Sequence, residues 1–286
     1  MNLPQRLLSS AVLIALVVGA LFFAPLWVFA LVLSGFIALA LYEFFTMVRQ
    51  RGILIHRPLS IGLGVAFAGL VAWRALVEPG YLIAPPLLDQ QATMFSWAWD
   101  IFWPLTIVII FLRQFTRENT FEALSSLATT LFGLAYISGL ASYFFYIRAF
   151  KSFDGAWLVL FLILVTKMGD AGAFAIGRLM GRHTLVARIS PRKTVEGFVG
   201  GVLVSAATAV LALGMVPQWV SPAYGFIVGL ILGLAGQVGD LAESLIKRDC
   251  QVKDSGRLLP GLGGVLDVLD SLLFTAPLFY AMLIYR

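Results

Sequence analysis

The chain has 286 residues, 60% of them hydrophobic and only 12% charged, with a mean hydropathy of +0.94 and a formal net charge of +5. That balance lies well outside the composition of soluble globular domains and predicts a polytopic membrane protein. A single cysteine, Cys250, excludes intrachain disulfides and argues against a cysteine-based zinc site, and nothing in the charge pattern suggests nucleic-acid binding.

A hydrocarbon core about 30 Å thick needs about 20 helical residues per crossing. Apolar runs of that order predict an all-α fold of about nine transmembrane helices, centred in 7–23, 26–48, 59–78, 98–112, 124–147, 156–178, 197–214, 223–246 and 266–284. The first run follows Arg6 as a signal peptide would. It is read as a retained helix, because it is long, lacks a small-residue cleavage site and is followed at Pro25 by another span. The stretch from Glu78 to Ser96, with three prolines, reads as the longest outer loop, and Trp97, Trp99 and Trp103 on the short fourth run suit an interfacial aromatic belt. Arg74 is placed to snorkel toward the outer interface. No soluble domain or long linker is evident: residues 1–286 read as one membrane domain, with 1–155 as packing and lipid-contact helices and 156–286 as the helices and loops where the chemistry is expected.

Lysines and arginines accumulate on the cytoplasmic side of membrane proteins. With the N-terminus inside, fifteen of the twenty fall in inner segments, including five between Arg178 and Lys193 and four between Lys247 and Arg257. Only Arg148, Lys151 and Arg286 fall outside, and Arg74 and Lys167 lie within spans. The bias predicts an N-terminus inside and a C-terminus on the outer side.

The polar residues of the C-terminal half gather at that inner boundary. Asp240, Glu243, Ser244 and Lys247 are three or four apart, along one side of a helix, and Asp267 and Asp270 repeat the spacing at the start of the last span. Such groups are costly beside hydrocarbon unless paired or bound to something charged. Carboxylates without histidine or cysteine suit a hard cation such as Mg²⁺, and ion pairing with Lys247, Arg248 and their neighbours is the alternative. Lys167 and Asp170, one turn apart, could neutralise each other in the sixth span. After them, Ser190-Pro-Arg-Lys193-Thr194-Val-Glu196-Gly197 places a cationic pair and hydroxyls where a helix begins at about Glu196. That arrangement suits phosphate and also an ordinary basic inner loop. It lacks the order of a Walker loop, and no Gly-x-Ser-x-Gly elbow or His-Glu-x-x-His pair occurs. Gly225, Gly229 and Gly233 predict close helix packing, and His56 and His183 lack metal-ligand spacing.

Asp240-Leu-Ala-Glu-Ser244-Leu-Ile-Lys247-Arg248, Lys253-Asp254-Ser255-Gly256, Leu259-Pro260-Gly261, Gly263-Gly264 and Leu266-Asp267 with Asp270 resemble the C-terminal signature of the phosphatidate cytidylyltransferases, or CDP-diacylglycerol synthases. Asp170-Ala-Gly172-Ala-Phe174, Gly177-Arg178 and Ser190 to Gly197 are similar to a second family segment. The resemblance is strongest over about residues 165–275; the N-terminal half contributes hydropathy alone. It implies transfer of a cytidylyl group from CTP to phosphatidic acid with Mg²⁺, an all-helical membrane fold and a homodimer among membrane lipids. By the same resemblance Asp240 and Asp267 belong to the metal centre, with Ser244 as an additional ligand and room for a second cation. Ser190, Lys193, Thr194, Lys247, Arg248 and Lys253 are candidates for phosphate contacts, with Lys193 and Lys247 catalytic. Asp170, Glu243, Asp254 and Asp270 complete or orient the site. The chain departs from the family at Leu262, where histidine is common, at Val268, where arginine is common, and at Val195, where tryptophan is common. A divergent paralogue using another lipid phosphate or lacking activity, a transporter and a noncatalytic scaffold are the other readings.

Overall fold

The computed structural model describes residues 3–77, 96–116, 122–150, 154–216 and 221–285. Ten α-helices and one short hairpin follow in order. They are α1 (Leu3–Val18), α2 (Leu26–Gln50), α3 (Arg57–Val77), α4 (Ser96–Phe115), α5 (Ala123–Gly133), α6 (Tyr143–Arg148), α7 (Gly155–Met180), β1 (Thr184–Val186), β2 (Ser190–Thr194), α8 (Val195–Leu211), α9 (Pro222–Asp249) and α10 (Val265–Ile284). Among the described residues, seven helical segments are long and apolar enough to cross a membrane, the fifth run counting once as Ala123–Arg148. The remaining apolar helices, Leu8–Phe23 and Ile101–Phe115, are shorter. All nine predicted runs are therefore helical, in an all-α polytopic membrane protein. Of the predicted loop from Glu78 to Ser96, residues 78–95 lie outside the described residues, as do Arg117, Lys151 and Arg286, and Ser96 begins α4.

Helix boundaries follow local chemistry. Pro25 stands extended at the N-cap of α2, and the Asp154 carboxylate accepts the Ala156 N–H at 2.9 Å to cap α7. His56, which lacks metal-ligand spacing, accepts the Leu59 N–H at 3.3 Å through Nδ1 in the first turn of α3. The fifth run is not one uniform helix, since Leu134–Gly139 between α5 and α6 is π-helical. The predicted loop at Ser190 is partly strand: β1 and β2 pair antiparallel, Thr184 opposite Thr194, and α8 starts at Val195.

The core is aliphatic and aromatic, with Phe44, Phe45, Phe145, Phe161 and Phe279 fully buried. Helices α7, α8, α9 and α10 pack in succession, and α2 lies against both α3 and α10. The predicted glycine face of α9 does pack closely: Gly225, Gly229 and Gly233 abut Leu213, Ala206 and Ser205 of the α8 segment. This packing brings the polar ends of α7, α9 and α10 together with the β1–β2 hairpin.

Candidate active site

Three ion-paired clusters lie side by side. The first joins α9 to α10. Lys247 Nζ sits 2.7 Å from Asp267 Oδ1 and also pairs with Glu243 one turn earlier on its own helix. Only 13% of the Lys247 side chain and 14% of Asp267 are exposed, and Glu243 is wholly buried. Asp267 Oδ2 accepts the Gly264 N–H at 2.6 Å and the Ser255 N–H at 3.1 Å. The family-like Lys-Asp-Ser-Gly segment and the paired glycines are thereby drawn onto one carboxylate. Glu243 Oε1 has no hydrogen-bond partner among the described residues.

The second cluster joins α7 to α10. Lys167 Nζ is 3.2 Å from Asp170 Oδ2, 2.8 Å from Ser271 Oγ and 3.9 Å from Asp270 Oδ1, so the predicted Lys167–Asp170 pair is present and acquires a second acid. Ser271 Oγ in turn donates to Asp170 at 3.0 Å. Alongside, α9 and α10 touch backbone to backbone: a Cβ on Gly239 would sit 2.6 Å from the Asp270 carbonyl oxygen, which puts Asp240 next to this cluster.

The third joins the hairpin to α9, with Lys193 Nζ 2.7 Å from Asp240 Oδ2. This pair borders a cavity of about 430 Å³ whose polar lining is Asp170, Arg178, Arg192, Lys193, Thr194, Gln237 and Asp240. Thr194 Oγ1 accepts the Gly197 N–H at 3.1 Å and caps α8, so the hydroxyl picked out as a phosphate contact also ends the strand and begins the helix. Glu196 accepts the Arg182 N–H at 3.0 Å and meets His183 Nδ1 at 2.6 Å, tying the hairpin base to α8.

The remaining predicted residues are spread around these clusters. Ser190 opens β2 opposite Val186 and does not line the cavity. Arg248 donates to the Ile189 carbonyl at 3.1 Å and the Val252 carbonyl at 3.3 Å, bracing one loop against another. Lys253 and Asp254 are exposed in the segment after α9, and Ser244 is half-buried. Asp240 and Asp267 occupy separate ion pairs, and among the described residues no group of three or more His, Cys, Asp or Glu side chains is arranged to hold a metal. Of the family departures, Leu262 lies in the turn at Leu259–Gly263, Val268 is half-buried on α10, and the exposed Val195 gives its N–H to the His183 carbonyl at 2.8 Å.

Two residues at the site escaped the sequence reading. Glu43, 2% exposed, reaches from α2 to the start of α10. Its signal was available as the only acidic residue in the 25-residue apolar helix Leu26–Gln50. Tyr136, on the π-helical segment, stacks on Phe132 and meets the edge of Phe274, within electrostatic range of Glu243, Asp270 and Asp240. No residue spacing announced it, because a π-helical turn changes which side chains face inward.

Comparison with known proteins places these residues in context. The cytidylyltransferase family pattern matches residues 4–285. A protein named phosphatidate cytidylyltransferase from Staphylococcus haemolyticus is 41% identical over 167 residues, 58% of this chain and 62% of that protein, so the match spans less than two thirds of its length. Proteins of the same name from Synechocystis sp. and Bacillus subtilis match nearly end to end. The first is 33% identical over 96% of this chain and 94% of its own, the second 31% identical over 99% and 98%.

Proposed function

Because the chain belongs to the cytidylyltransferase family, we propose that it transfers the cytidylyl group of CTP to phosphatidic acid, forming CDP-diacylglycerol and pyrophosphate for phospholipid synthesis. The observation that carries this reading is the pairing of each key carboxylate with a lysine from another element, Asp240 with Lys193 and Asp267 with Lys247, the first pair bordering a cavity that also presents Arg178 and Arg192. Near-end-to-end relatives bearing that enzyme name support it.

In the reaction an oxygen of the lipid phosphate attacks the α-phosphorus of CTP. The new P–O bond forms as the bond to the bridging α–β oxygen breaks, and that oxygen's electron pair leaves with pyrophosphate. The lipid phosphate is itself the nucleophile and is largely ionised near neutrality, its second pKa lying near 6 by analogy with phosphoamino acids. The protein's work is therefore to offset repulsion between two anions, align them and stabilise charge on the departing group. Arg178, Arg192, Lys193 and Thr194 supply cationic and hydroxyl contacts for phosphates in the cavity. Lys247 supplies a cation beside Asp267, and Phe174 and Phe198 add apolar surface to the cavity wall.

The donor chemistry fits magnesium, since every candidate ligand is oxygen, one or two carboxylates satisfy the ion when phosphates and waters complete its shell, and Glu243 keeps a buried oxygen without a hydrogen bond among the described residues. Asp240 and Asp267, with Ser244, would hold the ion, which when bound offsets phosphate charge. The same reading takes the site to be cytoplasmic, where CTP is available and the basic segments lie by the charge bias. It takes the N-terminus to be inside, the C-terminus outside and the enzyme to be a homodimer in the inner membrane.

The test is pyrophosphate release together with labelled CDP-lipid formation by purified protein in detergent with phosphatidic acid, CTP and Mg²⁺. Folded Asp240→Asn and Asp267→Asn variants are expected to lose both products. A folded wild type that forms neither, across several phospholipid acceptors and nucleotides, would overturn the assignment.

A further inference from the structure

The first turn of α10 holds Asp267, and that turn is not secured by its own loop alone. Glu43, from the other half of the chain, accepts the Val265 N–H at 3.0 Å through Oε1 and the Leu266 N–H at 2.8 Å through Oε2, and Oε2 also lies 3.2 Å from Ser255 Oγ. The opening amides of a helix have no partner within it, so a buried carboxylate placed there meets donors that would otherwise be orphaned. Asp267, three residues after Gly264 and in the position of a capping-box acid, takes the Gly264 and Ser255 amides instead. The donors here are thus divided between two acids: Glu43 holds two helix amides and the serine hydroxyl, and Asp267 holds the Gly264 and Ser255 amides while facing Lys247.

The fit is close. A Cβ at Gly256 or at Gly264 would run into the Glu43 carboxylate, so both glycines of the family-like loop are shaped around this α2 side chain. Just past its C-terminal end α2 also meets the end of α9, through the ion pair of Arg51 with Asp249. That pair is 42% and 57% exposed, and surface pairs of this kind hold little energy. The grip therefore comes from Glu43.

We propose that Glu43 is a positioning residue for the transferase site. By occupying the Val265 and Leu266 amides and the Ser255 hydroxyl, it leaves Asp267 to the Gly264 and Ser255 amides and so holds it against Lys247. The inference rests on reading Asp267 as an active-site residue. It gives the N-terminal half a part in the chemistry that hydropathy does not suggest.

The test uses the full chain in detergent micelles and the Glu43→Gln variant, which preserves shape but turns one acceptor into an NH₂ group facing the same donors. The expected result is a fall in kcat of about 10- to 100-fold, the usual cost of losing a group that orients a ligand or catalytic side chain, with KM for CTP changed less than about threefold. Hydrogen exchange should quicken at the amides of residues 255–267 and stay unchanged in α7 and α8. Ser255→Ala should give a smaller loss of the same kind, and the double variant should lose less than the product of the two, because both act on one network. Wild-type kcat in Glu43→Gln would overturn the proposal. So would losses that multiply, or exchange that quickens throughout the bundle. Should Glu43→Gln fail to fold, Ser255→Ala decides by the same two readouts. An inactive wild type would count against the transferase assignment, while the local exchange pattern would still decide whether Glu43 secures the Asp267 turn.

Discussion

Replacing Lys247 by methionine keeps an unbranched side chain of similar length and removes only the ammonium group. In the native protein that group stands 2.7 Å from Asp267 Oδ1 and pairs with Glu243, and the side chains are 13%, 14% and 0% exposed. Water can therefore do little to compensate once the cation is gone. Each carboxyl group must either stay charged without its partner or take up a proton, and both courses cost free energy. Breaking a buried pair from one side costs about 3–5 kcal/mol. At 1.4 kcal/mol per decade this moves the unfolding equilibrium by about two to four orders of magnitude. Titration of detergent micelles with a denaturing detergent, followed by the fluorescence of the seven tryptophans, reads this directly. The companion variant Lys247→Met/Glu243→Gln removes one of the stranded charges and should recover about 0.5–3 kcal/mol, the usual coupling between groups in contact. Equal stability of Lys247→Met and wild type, or strictly additive effects in the pair, would refute the claim that these groups form one buried unit.

Gly239→Ala should lower both stability, by about 1–3 kcal/mol, and turnover, because the added methyl group would sit 2.6 Å from the Asp270 carbonyl oxygen and force α9 from α10 beside Asp240; thermal unfolding and the pyrophosphate assay measure the two effects. Asp154→Ala removes the cap of α7 far from the clusters and should cost about 1 kcal/mol with kcat unchanged, whereas Thr194→Ala loses a similar cap at the cavity and should reduce activity as well. A normal kcat in Thr194→Ala would remove that hydroxyl from the site. Cys250 is 5% exposed, and burial pushes its thiol pKa up against the weaker opposing pull of Arg51, so little thiolate forms at neutral pH. Maleimide should label it slowly in the folded protein at pH 7 and fast after denaturation; rapid native labelling would contradict the packing at the end of α9.

Composition and apolar run length by themselves determined that this is a polytopic helical membrane protein, because twenty or so apolar residues in succession have few other stable homes. Short-range spacing also sufficed for the polar stripe of α9 and for the Lys167–Asp170 pair, since residues three or four apart on a helix must share a face. The signature from Asp240 to Asp270 pointed to the family for a similar reason: its residues are close in sequence and were readable as a string. Tertiary structure alone decided which lysine faces which acid. Lys193 and Asp240 are 47 positions apart, Lys167 and Ser271 are 104 apart, and such partners are chosen by how helices cross and how closely glycines let them approach. It also turned the Ser190 segment into a strand, since pairing with Thr184–Val186 supplies backbone hydrogen bonds that no local pattern records. Glu43 is the clearest case: a solitary acid in an apolar helix gave notice of a polar partner, but the amides of Val265 and Leu266, more than 200 residues away, became that partner only when α2 folded against α10.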